Sequence, residues 1–305
     1  MSDKLKVVFY RHDAPVRDGY DHNFFDFAIW KALPELLGDV TRVELDCSYI
    51  RVGTDDKGYF DPIDGEFDIA YSDKCAPTRK PGKFYFAFQS DWRNEEPRIS
   101  KWLQVAKPDV LFNLYSPAQT LIDACAQYNV RYEYTPWFIV DKQPWVEDKV
   151  TAAMSTGAIG NHYMWRRDIV NKLLSLKRSD IIAVEKMELT YDAYLSKLCQ
   201  TKYYCSGGSD DDVPEIASIP HKFIEVCNYG CCLVSPHMPF MERAGFVDGE
   251  TYIKLNSVEE LPSILASDRW KTIGRAGQLM VQERHTVQAR AAKILEVHKE
   301  MTNAN

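Results

Sequence analysis

A chain of 305 residues, 45% hydrophobic and 27% charged, is ordinary for a folded protein and allows one large or two ordinary domains. Its net charge of -7 excludes a broadly basic nucleic-acid surface, though not a local basic groove. No apolar run approaches the length of a membrane span, and Met1 to Lys6 enter a strand with no secretory leader, so a cytoplasmic protein is expected.

Leu5 to Tyr10 (LKVVFY) reads as the opening strand of an α/β sheet, followed by Arg11, His12 and Asp13. Helical spacing covers Asn23 to Leu37, a strand covers Val40 to Tyr49, and Arg51 to Glu66 is a loop rich in Gly and Asp. Strands follow at Phe67 to Tyr71 and Lys83 to Phe88, the second leading to Asp91. Pro97 to Ala106 reads as a helix, Asp109 to Leu114 as a strand, Pro117 to Tyr128 as an amphipathic helix and Val130 to Tyr134 as a strand. Such alternation predicts a mostly parallel sheet with helices on both faces. Ligands then bind outside the carboxyl ends of the strands, which selects Arg11, His12, Asp13, Asp91, Asn113 and Tyr115. His12, just after the first strand, suits a general base and equally suits an ordinary loop histidine. Asp91 suits a helix cap as well as a site. No GxGxxG follows the first strand, which argues against a dinucleotide-binding dehydrogenase. GxxxxGK(S/T), GxSxG and HExxH are absent too.

The alternation breaks at Trp137 to Lys149, where Trp137, Phe138 and Trp145 need burial, so an ordered crossover is expected. A second α/β series starts with a strand at Val150 to Thr156. The glycine turn Gly157, Ala158, Ile159, Gly160 comes next, then a helix over Tyr163 to Leu176. A glycine turn between strand and helix lets backbone amides meet a diphosphate. Arg166 and Arg167 would add charge there, or stay solvated. Asp180 to Val184 is a strand, Tyr191 to Leu198 a helix, and Lys202 to Cys205 a strand ending at Ser206 and Gly207. Asp210 to Asp212 reads as a solvated acidic loop.

Pro220 to Gly230 then reads as a short helix, with Pro220 at the first helical position and Gly230 at a left-handed stop. Cys231 to Val234 follows as a buried strand. Lys222 and Glu225 are three apart and share one helix face. Beside free helix amides they suit a phosphate and a sugar hydroxyl; the same spacing also suits a plain surface pair. Thr251 to Leu255 is a strand, and Ser257 with Glu260 forms a capping box for a helix reaching Leu265. Trp270 to Met301 is helical with a break near His285 and Thr286. The eight cysteines form no CxxC pair, so reduced core thiols and no metal are expected.

MSTGAIG with YMWRR, then KFIEVCNYGCCLVSP, GFVDGETYIKLNSVEELPSIL and AGQLMVQERHTVQARAAKILEV stand in a familiar order. With them the second half resembles the C-terminal domain of GT-B glycosyltransferases, in particular the CgeB-like group, also described as glycosyl-transferase family 1-type. The resemblance implies an α/β protein of two Rossmann-like domains facing across a cleft. Residues 1–136 would form an acceptor-side domain, 137–149 the crossover, and 150–305 the nucleotide-sugar-binding domain, with the terminal helix able to pack back on the first. Glu225 would hold the ribose hydroxyls. Lys222 and the amides near Gly157 and Ala158 would face the diphosphate, assisted by Arg166 or Arg167. Ser206 and Gly207 would line the nucleotide.

Helix dipoles and cations would replace a metal in this fold, so no cofactor is expected beyond a UDP- or GDP-linked sugar as co-substrate. Retaining members often carry an E-x7-E pair, but Ala217 stands eight residues before Glu225. Stereochemistry stays open, and His12, Asp91 and then Asp13 are the candidate bases for an acceptor hydroxyl. The acceptor is a glycan, a small molecule or a hydroxymethylated DNA base; Arg79, Lys80, Lys83, Arg93 and Arg98 could form a basic strip for the last. A homodimer fits the aromatic crossover as well as a domain join does. A non-catalytic nucleotide-sugar binder, or a hydrolase or epimerase of the same shape, is the alternative.

Overall fold

The computed structural model describes residues 6–10, 32, 42–46, 69–72, 83–89, 100, 103–104, 107–113, 119–157, 159, 163–184, 189–208 and 219–304. The chain divides into two compact units, Met1–Thr135 with Val287–Asn305, and Pro136–Thr286. The helix over 23–37 and the loop over 51–66 fall outside the described residues, apart from helical Ala32.

The first unit is built on β1 (Lys6–Tyr10), β2 (Arg42–Asp46), β3 (Ile69–Ser72), β4 (Phe84–Gln89), β5 (Val110–Asn113) and β6 (Arg131–Tyr134). Their order is β2-β1-β3-β4-β5-β6, and every pair is parallel. Strands covered on both faces are apolar throughout rather than alternating. Phe84 to Ala87 and Val110 to Phe112 are accordingly all buried. Helix α1 (Gln119–Gln127) turns Leu121, Ala124 and Cys125 inward, the i, i+3, i+4 stripe of an amphipathic helix.

In the second unit β7 (Thr151–Thr156) leads to α2 (Met164–Ser175) and β8 (Ile181–Val184). Helix α3 (Tyr191–Cys199), β9 (Thr201–Cys205), α4 (His221–Asn228) and β10 (Cys232–Ser235) follow. The two-residue β11 (Ile253–Lys254), α5 (Leu261–Leu265) and α6 (Arg269–Arg284) complete it. Its sheet has the order β8-β7-β9-β10-β11, again all parallel. The final helix, α7 (Val287–Ala304), belongs to the first unit and buries Val287, Ala291, Ile294 and Val297. There Arg131 reaches Glu300 at 2.7 Å, and Phe84 meets His298 edge-on at 5.4 Å.

Both sheets are wound alike. The second strand of each series lies on one side of the first and the third on the other. The winding direction therefore reverses between β1 and β3, and between β7 and β9. Carboxyl ends at such reversals diverge and leave a crevice for ligands.

The segment 137–149 is ordered and belongs to the second unit. Trp137 and Phe138 are buried, and Trp145 stacks on Trp270 at 5.8 Å. Amides fasten the rest: Gln278 Nε2 donates to the carbonyls of Gln143 and Asn228, and Asn228 Nδ2 to that of Asp141. The helix break falls at His285 and Thr286, where Ile139 N donates to His285 O at 2.8 Å.

Two local readings need correction. Pro220 is the N-cap of α4, with an extended backbone at φ -71° and ψ 151°, and helix begins at His221. Its carbonyl accepts from Phe223 N, so it closes the first turn without joining it. The capping box is displaced because the first turn, Val258–Glu260, is a 3-10 turn. Ser257 Oγ accepts from Glu259 N, and Glu260 Oε2 accepts from Asn256 N. No helix among the described residues is long and apolar enough to cross a membrane.

Candidate functional site

Strand β7 is buried over its whole length and ends at Thr156. Gly157 follows at φ +118°, a conformation that side chains rarely adopt. A Cβ built on it would lie 3.1 Å from Arg166 Nη1 and 3.4 Å from Lys222 Nζ. Two cations from two helices thus converge on one glycine at the β7/β9 reversal.

Arg166 lies in the first turn of α2 and is buried. Its Nε donates to Ser206 Oγ at 3.1 Å and its Nη2 to Gly207 O at 3.3 Å, so the end of β9 fixes the guanidinium. The group also sits over the Tyr163 ring at 4.3 Å. Arg167 is not brought to this cluster. It contacts its own helix instead, Asp168 at 3.6 Å and Met164 Sδ at 3.3 Å. Helix phase separates the neighbours: Arg166 shares the stripe of Ile169, Val170 and Leu173, and Arg167 does not.

Lys222 stands in the first turn of α4. Its Nζ donates to Thr156 O at 3.2 Å and Thr156 Oγ1 at 3.3 Å, and lies 5.3 Å from the Tyr194 ring centre. It has no carboxylate partner among the described residues. Glu225, one turn further, is buried, and each carboxylate oxygen accepts from one phenol. Tyr191 OH donates to Oε1 at 3.1 Å and Tyr194 OH to Oε2 at 2.8 Å. Burial, reinforced by the charge of Glu225, pushes the Tyr194 phenol well above its ordinary range, so it stays a protonated donor.

The structure therefore brings together Gly157, Arg166, Ser206, Gly207, Lys222 and Glu225. Ala158, His12, Asp13 and Asp91 lie outside the described residues, as do Arg11 and Tyr115. Asn113 is buried at the end of β5 and donates to Tyr132 OH at 3.3 Å. Tyr191 and Tyr194 were missed because aromatics three apart on a helix read as core. Among the described residues no group of three or more His, Cys, Asp or Glu could hold a metal ion.

His221 begins α4 and packs edge-on against Trp137 at 5.6 Å. Burial pushes its imidazole below the ordinary histidine range; Lys222 adds to this, and Glu225 and the Phe138 backbone oppose it. The unfolded chain then binds the proton more tightly than the folded one. Stability is full above about pH 6.5 and falls as pH drops from there through the lower folded value. Urea unfolding at about pH 7.5 and pH 5.5 should show this loss, and His221→Gln should reduce it.

Residues 157–296 match the family described as "Glycosyl transferase-like". No curated protein sequence matches the chain. Among solved structures, HepE of Anabaena in complex with UDP and glucose is similar at 10% identity and TM-score 0.60, over 97% of this chain and 100% of HepE. An alpha-glucosyltransferase in complex with UDP-glucose and DNA containing an abasic site is similar at 9% identity and TM-score 0.61, over 97% and 99%. A glycosyltransferase of Rickettsia africae is similar at 11% identity and TM-score 0.52, over 97% and 98%. Residues 157–296 are thus similar to the glycosyl transferase-like family, on a chain that shares the GT-B fold of these solved structures.

Proposed function

We propose that this protein is a metal-independent glycosyltransferase that moves a sugar from a nucleoside diphosphate to an acceptor hydroxyl. The observation that carries this reading is the convergence of Arg166 and Lys222 on Gly157 at the β7/β9 reversal, with Glu225 one turn beyond Lys222. A diphosphate over Gly157 meets both cations, and the short Cα side of glycine permits close approach. Glu225 takes the ribose hydroxyls, and Ser206 and Gly207 line the nucleoside. UDP is the favoured nucleotide, since HepE and the alpha-glucosyltransferase were both solved with UDP or its sugar.

The acceptor oxygen bonds to the anomeric carbon as the bond from that carbon to the β-phosphate oxygen breaks. The acceptor proton passes to a base, for which His12 and Asp91, with Asp13 behind them, are the candidates from residues 1–136. The nucleoside diphosphate leaves with its growing charge held by Arg166 and Lys222. Residues 150–305 are the donor side in this scheme. The net charge of -7 favours a glycan or small-molecule acceptor over a hydroxymethylated DNA base.

The test is release of nucleotide from UDP- and GDP-sugars with a chelator present, against acceptor panels that include hydroxymethylated DNA. Acceptor-dependent release of UDP is expected. Release of free sugar without acceptor would indicate a hydrolase, and no release with any pair would oppose the proposal.

A further inference from the structure

A buried carboxylate with no donors is costly, and Glu225 avoids this with one phenol on each oxygen. Two hydroxyls placed one per carboxylate oxygen is the pattern a vicinal diol makes. The two phenols are not held equally. Tyr194 is 2% exposed, bonds at 2.8 Å and has Lys222 against its ring. Tyr191, the first residue of α3, is 46% exposed, bonds at the longer distance of 3.1 Å and stacks on the Tyr194 ring at 6.3 Å. Glu225 itself is only 7% exposed, so a ligand hydroxyl has little access to it while Tyr191 is in place.

We propose that Tyr191 is a displaceable stand-in for a ribose hydroxyl, which leaves Glu225 when a nucleotide with an intact ribose diol binds. This rests on the reading of Glu225 as the ribose contact. Tyr194 stays and orients the carboxylate. Tyr191 is then a specificity-determining residue: it covers Glu225 in the empty site and yields to a ligand hydroxyl that can replace its hydrogen bond to Oε1. A nucleotide without the diol gains nothing from its departure. The closed form lowers apparent affinity for the correct nucleotide by the cost of opening.

Calorimetric titration of UDP, and of its 2′,3′-dideoxy analogue, into wild type, Tyr191→Phe and Tyr194→Phe tests this. Phenylalanine keeps the ring, and matching melting temperatures establish that each variant is folded. Tyr191→Phe should bind UDP about three- to tenfold more tightly and the dideoxy analogue with unchanged affinity. Tyr194→Phe should weaken UDP and leave the analogue unchanged. If Tyr191→Phe leaves UDP affinity unchanged, or weakens both nucleotides alike, displacement is wrong while the nucleotide site stands. If wild type binds UDP and its analogue equally, the ribose role of Glu225 is wrong. If no nucleotide binds any form, the site reading and the displacement fall together.

Discussion

Replacing Lys222 with alanine is expected to lower turnover about 10²–10³-fold and to leave the melting temperature nearly unchanged. The two effects separate because of how Lys222 is held. Its partners are the carbonyl and hydroxyl of Thr156, both neutral acceptors, and the side chain is only half-buried. Its loss leaves no carboxylate stranded among the described residues. In the proposed reaction the charge on the leaving diphosphate grows beside Gly157, where Lys222 Nζ stands 3.4 Å from the position a Cβ would take. A cation aimed at that point acts more on the transition state than on the bound donor, so kcat falls more than KM rises. Arg166 is a poorer probe, because its guanidinium also braces Ser206 and Gly207, and its removal would disturb the end of β9.

Gly277→Val should be the most disruptive single change in the second unit for its size, with a stability loss of about 3 kcal/mol or more. A Cβ there would lie 2.6 Å from the carbonyl oxygen of Thr251, a backbone atom that cannot rotate away. A Cβ built on Gly274, one turn earlier on α6, would lie 3.1 Å from both Cys232 N and Gly230 O, so the backbones pack closely there too. Helix α6 therefore cannot lift at one glycine without opening at the other. It packs on α4 and β10, so the strain reaches the elements that carry Lys222 and Glu225. Thermal or urea unfolding should show the loss directly, with nucleotide affinity falling in parallel.

Much of the fold was legible because buried parallel strands are unbroken apolar runs. VVFY, FYFAF and CLVS stand out against their surroundings. The glycine stop at Gly230 was legible for a similar reason: a left-handed residue has few alternatives, and Gly230 sits at φ +70°. The position of Pro220 was not, because its fixed φ suits an extended cap as well as a first helical residue. Lys222 and Glu225 were legible as a pair sharing one face. Their partners were not, because Tyr191, Tyr194 and Thr156 come from elements distant in sequence and look like core. Arg166 and Arg167 are equivalent by residue type, and only the phase of α2 against its buried stripe tells them apart.

The most direct test of the central claim is a crystal structure of the protein with UDP bound and no metal added. The diphosphate is expected beside Gly157, in contact with Arg166 and Lys222, and the ribose on Glu225 with Tyr191 turned away. A nucleotide bound elsewhere, or a diphosphate that contacts neither cation, would contradict it.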